Sequence, residues 1–72
     1  MRLFLTFGTT HGAMRAERIL RTAGLAPEVV PKPAGIRGSC GVAVRLAPAC
    51  RAAALVALAA AGHLPRQETL LP

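Results

Sequence analysis

Seventy-two residues with 53% apolar content make a chain that packs, yet its core is thin, because a domain this size buries only roughly 60% of its unfolded surface. Large substrate cavities are disfavoured; shallow sites, or sites shared with a partner, are the realistic options. Eight arginines and one lysine against Glu17, Glu28 and Glu68 give a formal net charge of +6, which suits an anionic partner (nucleic acid, acidic protein or small anion) or simply a solubilising surface.

The elements read off in order. Arg2–Phe7 (RLFLTF) is an apolar run that stops at Gly8, which predicts a buried strand. Thr9 or Thr10 then supplies a helix N-cap. From His11 to Ala23, Ala13, Ala16, Ile19, Leu20 and Ala23 share one helical face, while Arg15, Arg18 and Arg21 take the other. Glu17 and Arg21 are spaced for an i,i+4 ion pair, and Gly24 suits the C-terminal cap.

Leu25–Val30 predicts a second strand, placed at a sheet edge because Pro27 cannot donate to a ladder. Pro31–Ser39 is loop. Gly41–Leu46 predicts a central third strand. Pro48 suits the first turn of a helix running through ACRAAALVALAAA, Ala49–Ala61, and Gly62 ends it. Arg66–Leu71 offers a fourth strand. The order β-α-β-β-α-β over residues 1–72 predicts one α+β domain of ferredoxin-like type: a four-stranded antiparallel sheet with two helices on one face.

That topology places the cysteines. With the end of the first strand taken as the top of the sheet, the first helix starts at the top and the loop 31–40 returns there, with Cys40. The second helix starts at the bottom with Cys50, and His63 returns to the top. Cys40 and Cys50 then lie a strand apart, about 20 Å at ~3.3 Å per residue, too far for a disulfide or a shared metal. Cys50 reads as a small packing residue. Cys40 shares its rim with the opening of the first helix, His11 and Arg37, a setting that favours thiolate over thiol. Gly38 and Gly41 bare the backbone around it, so turn amides there can cradle an anion. The residues alone leave two readings open: a reactive, exposed thiol, or an ordinary turn residue. His11 likewise reads as a surface or capping residue or as part of the chemistry. The arginine face reads as solvated or as a nucleic-acid surface, and no aromatic platform supports the latter.

No C-x-x-C is present and the histidines are far apart, so no metal and no other cofactor is expected. Free thiols fit a reducing cytoplasm. The N-terminal apolar run of about six residues falls short of the 7–15 of a secretion signal, and the Ala-rich stretch 49–62 is too short to span a bilayer.

TFGTTHGAMRAERIL followed by VVPKPAGIRGSCGVAVRL resembles a small bacterial family of selenium/sulfur carrier-like proteins. The matching positions are Phe7, Thr10, His11, Ala13, Ala16, Glu17, Pro31, Pro33, Ser39, Cys40 and Gly41, within a resemblance over roughly residues 2–62. The family commonly has Arg after the second proline, where this chain has Ala34, and Arg37 is the nearest substitute. The resemblance implies a domain of sulfur or selenium metabolism.

The combined reading is a non-enzymatic, cytoplasmic carrier. Cys40 holds a persulfide or perselenide, supported by Thr10, His11, Arg37, Ser39 and Gly41, and partner proteins donate and accept the atom. The sparsely charged face of the second helix is a candidate homodimer surface; nucleic acid and membrane are not expected partners. The rivals are a binding or regulatory module that meets protein or RNA through its basic surface, and a thiol redox sensor. The fold hosts all three.

Overall fold

The computed structural model describes residues 1–38 and 40–72. Strand β1 (Arg2–Thr6) is buried from Leu3 onward. Leu3 and Leu5 point to the helices and Phe4 to the other side of the sheet, which is why the segment reads as a continuous apolar run instead of an alternating one.

Helix α1 (Thr10–Thr22) is capped by Thr9, whose Oγ1 accepts the Gly12 amide at 2.9 Å. This decides between the two candidate caps and makes Thr10 the first helical residue. Ala13, Ala16 and Leu20 form the buried stripe. A Cβ on Gly12 would lie only 3.3 Å from Phe7 Cβ, so that glycine lets the first turn press against the end of β1. The helix stops at Gly24, whose φ of +84° suits a residue without a side chain.

Strand β2 is Glu28–Pro31, shorter at its start than the expected Leu25–Val30. The Leu25 amide turns back to the Leu20 carbonyl at 3.1 Å, so residues 25–27 connect instead of pairing. Strand β3 (Val42–Leu46) follows the loop. The predicted second helix opens with a 3-10 turn, Pro48–Cys50, before α2 (Arg51–Ala60). The Cys50 amide bonds the Ala47 carbonyl at 2.9 Å, the tighter i→i+3 pattern usual at helix starts. Helix α2 buries Ala54 and Leu58 and leaves Val56 70% exposed. Strand β4 is Gln67–Leu71.

The sheet order is β2-β3-β1-β4 with every neighbouring pair antiparallel. With the element order β-α-β-β-α-β, this is the ferredoxin-like arrangement, with β2 at one edge and β1 and β3 central. Leu3, Leu5, Leu20, Leu58 and Val44 are fully buried between the sheet and both helices. On the opposite face, Ile36 of the β2–β3 loop folds over Phe4 and Ala43. The loop is therefore a partial cover for the helix-free side.

All three glutamates are committed to ion pairs. Glu17 pairs with Arg21 at 3.1 Å, the expected i,i+4 contact, and Glu28 pairs with Arg45 across β2 and β3 at 2.9 Å. Glu68 accepts Arg51 Nε at 2.6 Å, and through that hydrogen bond, then its charge, holds the guanidinium above its ordinary value. Among the described residues this leaves Arg2, Arg15, Arg18, Lys32, Arg37 and Arg66 with no carboxylate partner.

Candidate functional site

Three chain segments meet at the top rim: the end of β1, the β2–β3 loop and the approach to β4. The Arg66 amide bonds the Thr6 carbonyl at 2.8 Å, extending the β1–β4 ladder, and the Lys32 amide bonds the Gly41 carbonyl at 2.9 Å, extending the β2–β3 ladder. Between them lies a cavity of about 320 Å³. Its floor includes Cys40 and Phe7; its walls carry Lys32, Arg37 and Arg66, and no carboxylate lines it among the described residues.

Two of the cations lie against glycines. Lys32 Nζ donates to the Gly38 carbonyl. Arg66 lies across Gly8 so closely that a Cβ there would fall 2.9 Å from Arg66 Nε. Gly38 has φ +139°, a conformation that strains any residue with a side chain. The carbonyl it presents to Lys32 thus depends on that glycine.

Cys40 is only 5% exposed. The expectation of an openly exposed thiol is corrected here: the sulfur sits below the surface and reaches solvent by way of the cavity. Two residues before Val42, it continues the face of β3 that looks toward α1. There Thr10 Oγ1 lies 3.7 Å from Sγ, within hydrogen-bond range for sulfur, with either atom able to donate. In the first turn of α1 the Gly12 amide is taken by Thr9 Oγ1 and the Ala13 amide by the Thr9 carbonyl. The unpaired amides of a helix start carry its partial positive charge. The sulfur is therefore set between a helix start and three side-chain cations.

The sequence profile of a family described as "Putative Se/S carrier protein-like" matches residues 2–68. The chain belongs to that family. No curated protein matches it, and no solved structure does.

Of the residues singled out in this carrier-like chain, the fold brings together Cys40, Thr10 and Arg37. Ser39 lies outside the described residues. His11 is exposed and does not line the cavity. The histidine that packs beneath this rim is His63: its ring stacks on Phe7 at 5.1 Å between centroids and its Nε2–H donates to the Gly12 carbonyl at 2.8 Å. That bond fastens α1 to the end of α2 and occupies the nitrogen. Gly41 has no positive φ, and a Cβ there would meet nothing within 4 Å among the described residues. Its lack of a side chain has no steric cause in the fold. Ala34 is exposed, whereas Arg37 reaches the cavity.

Lys32 and Arg66 are the cavity cations that sequence reasoning does not single out. The signal for Arg66 was the topology itself: a descending fourth strand must start at the top, beside the loop. Lys32 sits between Pro31 and Pro33, the same stretch that carries the family resemblance. Cys50 is half-exposed in the 3-10 turn at the other end of β3. Among the described residues no group of three or more His, Cys, Asp or Glu is placed to hold a metal ion, and no helix is long and apolar enough to cross a membrane.

Proposed function

We propose that this chain stores sulfur or selenium on Cys40 as a persulfide or perselenide and hands it to a partner enzyme, taking it from a donor protein or small molecule. The observation that carries the reading is the pairing of one buried thiol with a cavity that holds three cations and, among the described residues, no carboxylate. A persulfide places its outer sulfur about 2 Å beyond Sγ, and that atom bears the negative charge. Lys32, Arg37 and Arg66 are the complementary charges.

The loading step balances without an added oxidant. The Cys40 thiolate attacks the outer sulfur of a donor R–S–S⁻; the new Sγ–S bond forms, the donor's S–S bond breaks, and R–S⁻ leaves with the electron pair. Delivery is the same exchange with the acceptor's thiolate as nucleophile. The near neighbour of Sγ is the Thr10 hydroxyl, which steadies the sulfur but does not titrate near neutrality. Storage and transfer require no more than this, so the chain is read as a carrier and not as an enzyme. His11, Ser39 and Gly41 stand as supporting positions only through the family pattern.

The test is intact mass after exposure of the purified protein to a persulfide donor. The expected result is one added sulfur, removed by dithiothreitol, on native protein and on Cys50→Ser but absent from Cys40→Ser. No gain on native protein, or equal gain on both variants, ends the carrier reading. Salt-sensitive RNA binding with no gain in mass would favour the basic binding module.

A further inference from the structure

We infer that the cavity above Cys40 is a binding site for a small sulfur oxyanion of the thiosulfate class, and that this anion loads the cysteine directly. The inference rests on the carrier reading and adds the donor to it.

Three features separate a small-anion site from a docking patch. The cations converge on a concave space of about 320 Å³ instead of spreading over a convex face. One of the three is fixed by backbone, Lys32 by the Gly38 carbonyl, and Arg66 lies over the side-chain-free Gly8. The guanidinium groups of Arg37 and Arg66 match the oxygens of a tetrahedral anion in pairs, which a lone ammonium does not. The outer face of α1 shows the contrast: its Arg18 and Arg21 border a shallow depression that also contains Glu17, and Glu17 already neutralises Arg21. The rim cavity has cations and, among the described residues, nothing that neutralises them. Thr6 and Gln67 add neutral polar groups to the lining.

A spectator anion would satisfy the charges alone. The thiol in the same lining is what points to a reactive one. In thiosulfate the outer sulfur is the electrophile and the sulfonate end bears the oxygens. With those oxygens held by Arg37, Arg66 and Lys32, the Cys40 thiolate attacks the outer sulfur. The Sγ–S bond forms, the S–S bond of thiosulfate breaks, and sulfite leaves with the electron pair. Charge balances: a monoanion and a dianion become a persulfide monoanion and a sulfite dianion. Selenosulfate offers the same oxygens and a transferable selenium, so the site chemistry is shared by both elements.

The experiment compares two donors on three proteins by intact mass and by sulfite release. The donors are thiosulfate and 2-mercaptoethanol persulfide, which carries no oxyanion. The proteins are the native chain, an Arg37→Gln/Arg66→Gln variant, and an Arg15→Gln/Arg18→Gln variant that loses equal charge on the outer face of α1. Circular dichroism and thermal melting confirm that each is folded. The expected result is loading of native protein by both donors, with sulfite released in step with the mass gain from thiosulfate. Relative to native protein, the cavity variant should lose about tenfold more rate per cation removed with thiosulfate than with the mercaptoethanol persulfide, whose single charge sits on the transferred sulfur. The helix-face variant should behave as native. If native protein loads from the persulfide but not from thiosulfate, or if both double variants respond to thiosulfate alike, the oxyanion site is overturned and the carrier reading stands. If neither donor loads native protein, both fall. Calorimetric titration of Cys40→Ser with sulfate isolates binding from transfer: the expected result is saturable binding that Arg37→Gln/Arg66→Gln abolishes, and no binding counts against the site.

Discussion

The two ends of β3 are built from similar parts and differ in how their charges are compensated and in where the thiol lies. Each end borders a cavity, about 320 Å³ at the top and about 220 Å³ at the bottom, and a cysteine lies near each end. The lower cavity contains Arg2 and Arg45, but Glu28 is there too and bonds Arg45. The upper cavity has three cations, no carboxylate among the described residues, and the thiol in its own wall. A hollow at the end of a small sheet is ordinary. Uncompensated charge aimed at a nucleophile is what distinguishes the upper one.

The sharpest way to break this contrast is to ask each thiol which reagent charge it prefers. Iodoacetate and iodoacetamide differ by one negative charge and little in size. The iodoacetate-to-iodoacetamide rate ratio should be roughly tenfold higher at Cys40 than at Cys50, because a cation-lined cleft concentrates anions. Peptide mapping of partly alkylated protein at low salt measures both sites in one sample. Equal ratios would mean that the upper cations do not act on the sulfur.

A smaller effect separates two glycines of the upper end. Gly38→Ala forces a side chain into a sparsely populated backbone conformation and should cost about 1–3 kcal/mol in urea unfolding. Gly41→Ala, with open space and no positive φ, should change stability by less than about 0.5 kcal/mol. The same two variants also test whether the family pattern at Gly41 serves the sulfur: a loading defect without a stability defect would assign it there. The smallest expected effect belongs to the lower end. Glu28→Gln removes a pair whose carboxylate is 64% exposed, and should destabilise by about 0–1 kcal/mol.

Most of the architecture was legible because it depends on local rules. Gly8, Gly24 and Gly62 punctuate the chain, the α1 stripe has helical spacing, and Pro27 marks the edge strand. Boundaries slipped where tertiary contacts compete with propensity: Leu25 turns back to α1 instead of pairing, and Pro48 tightens the first turn before α2. The ends of the strands were readable as well, so Cys40 and Cys50 were separated correctly by topology alone. The depth of the sulfur was not. On the α1 side the sulfur lies against Thr10 of the first helical turn, and no periodicity in PKPAGIRG announces that contact. The same gap hid Lys32 and Arg66, whose convergence is a property of three segments and of none singly. Chain order puts both His11 and His63 near the rim, but only packing on Phe7 singles out His63 and brings it to Gly12.

The cover over the helix-free side has one consequence for traffic. Among residues 32–38, Ile36 alone is buried, so a single aliphatic anchor keeps that span seated. Peeling it away would wet one isoleucine, a penalty of about 1.5–3 kcal/mol, besides straining the Lys32–Gly41 backbone bond at its start. On the proposed carrier reading, a folded acceptor is too broad for the hollow and would reach the sulfur either with that span lifted or by threading a slender side chain inward. Ile36→Ala would make departures more frequent without touching any charge or the sulfur itself.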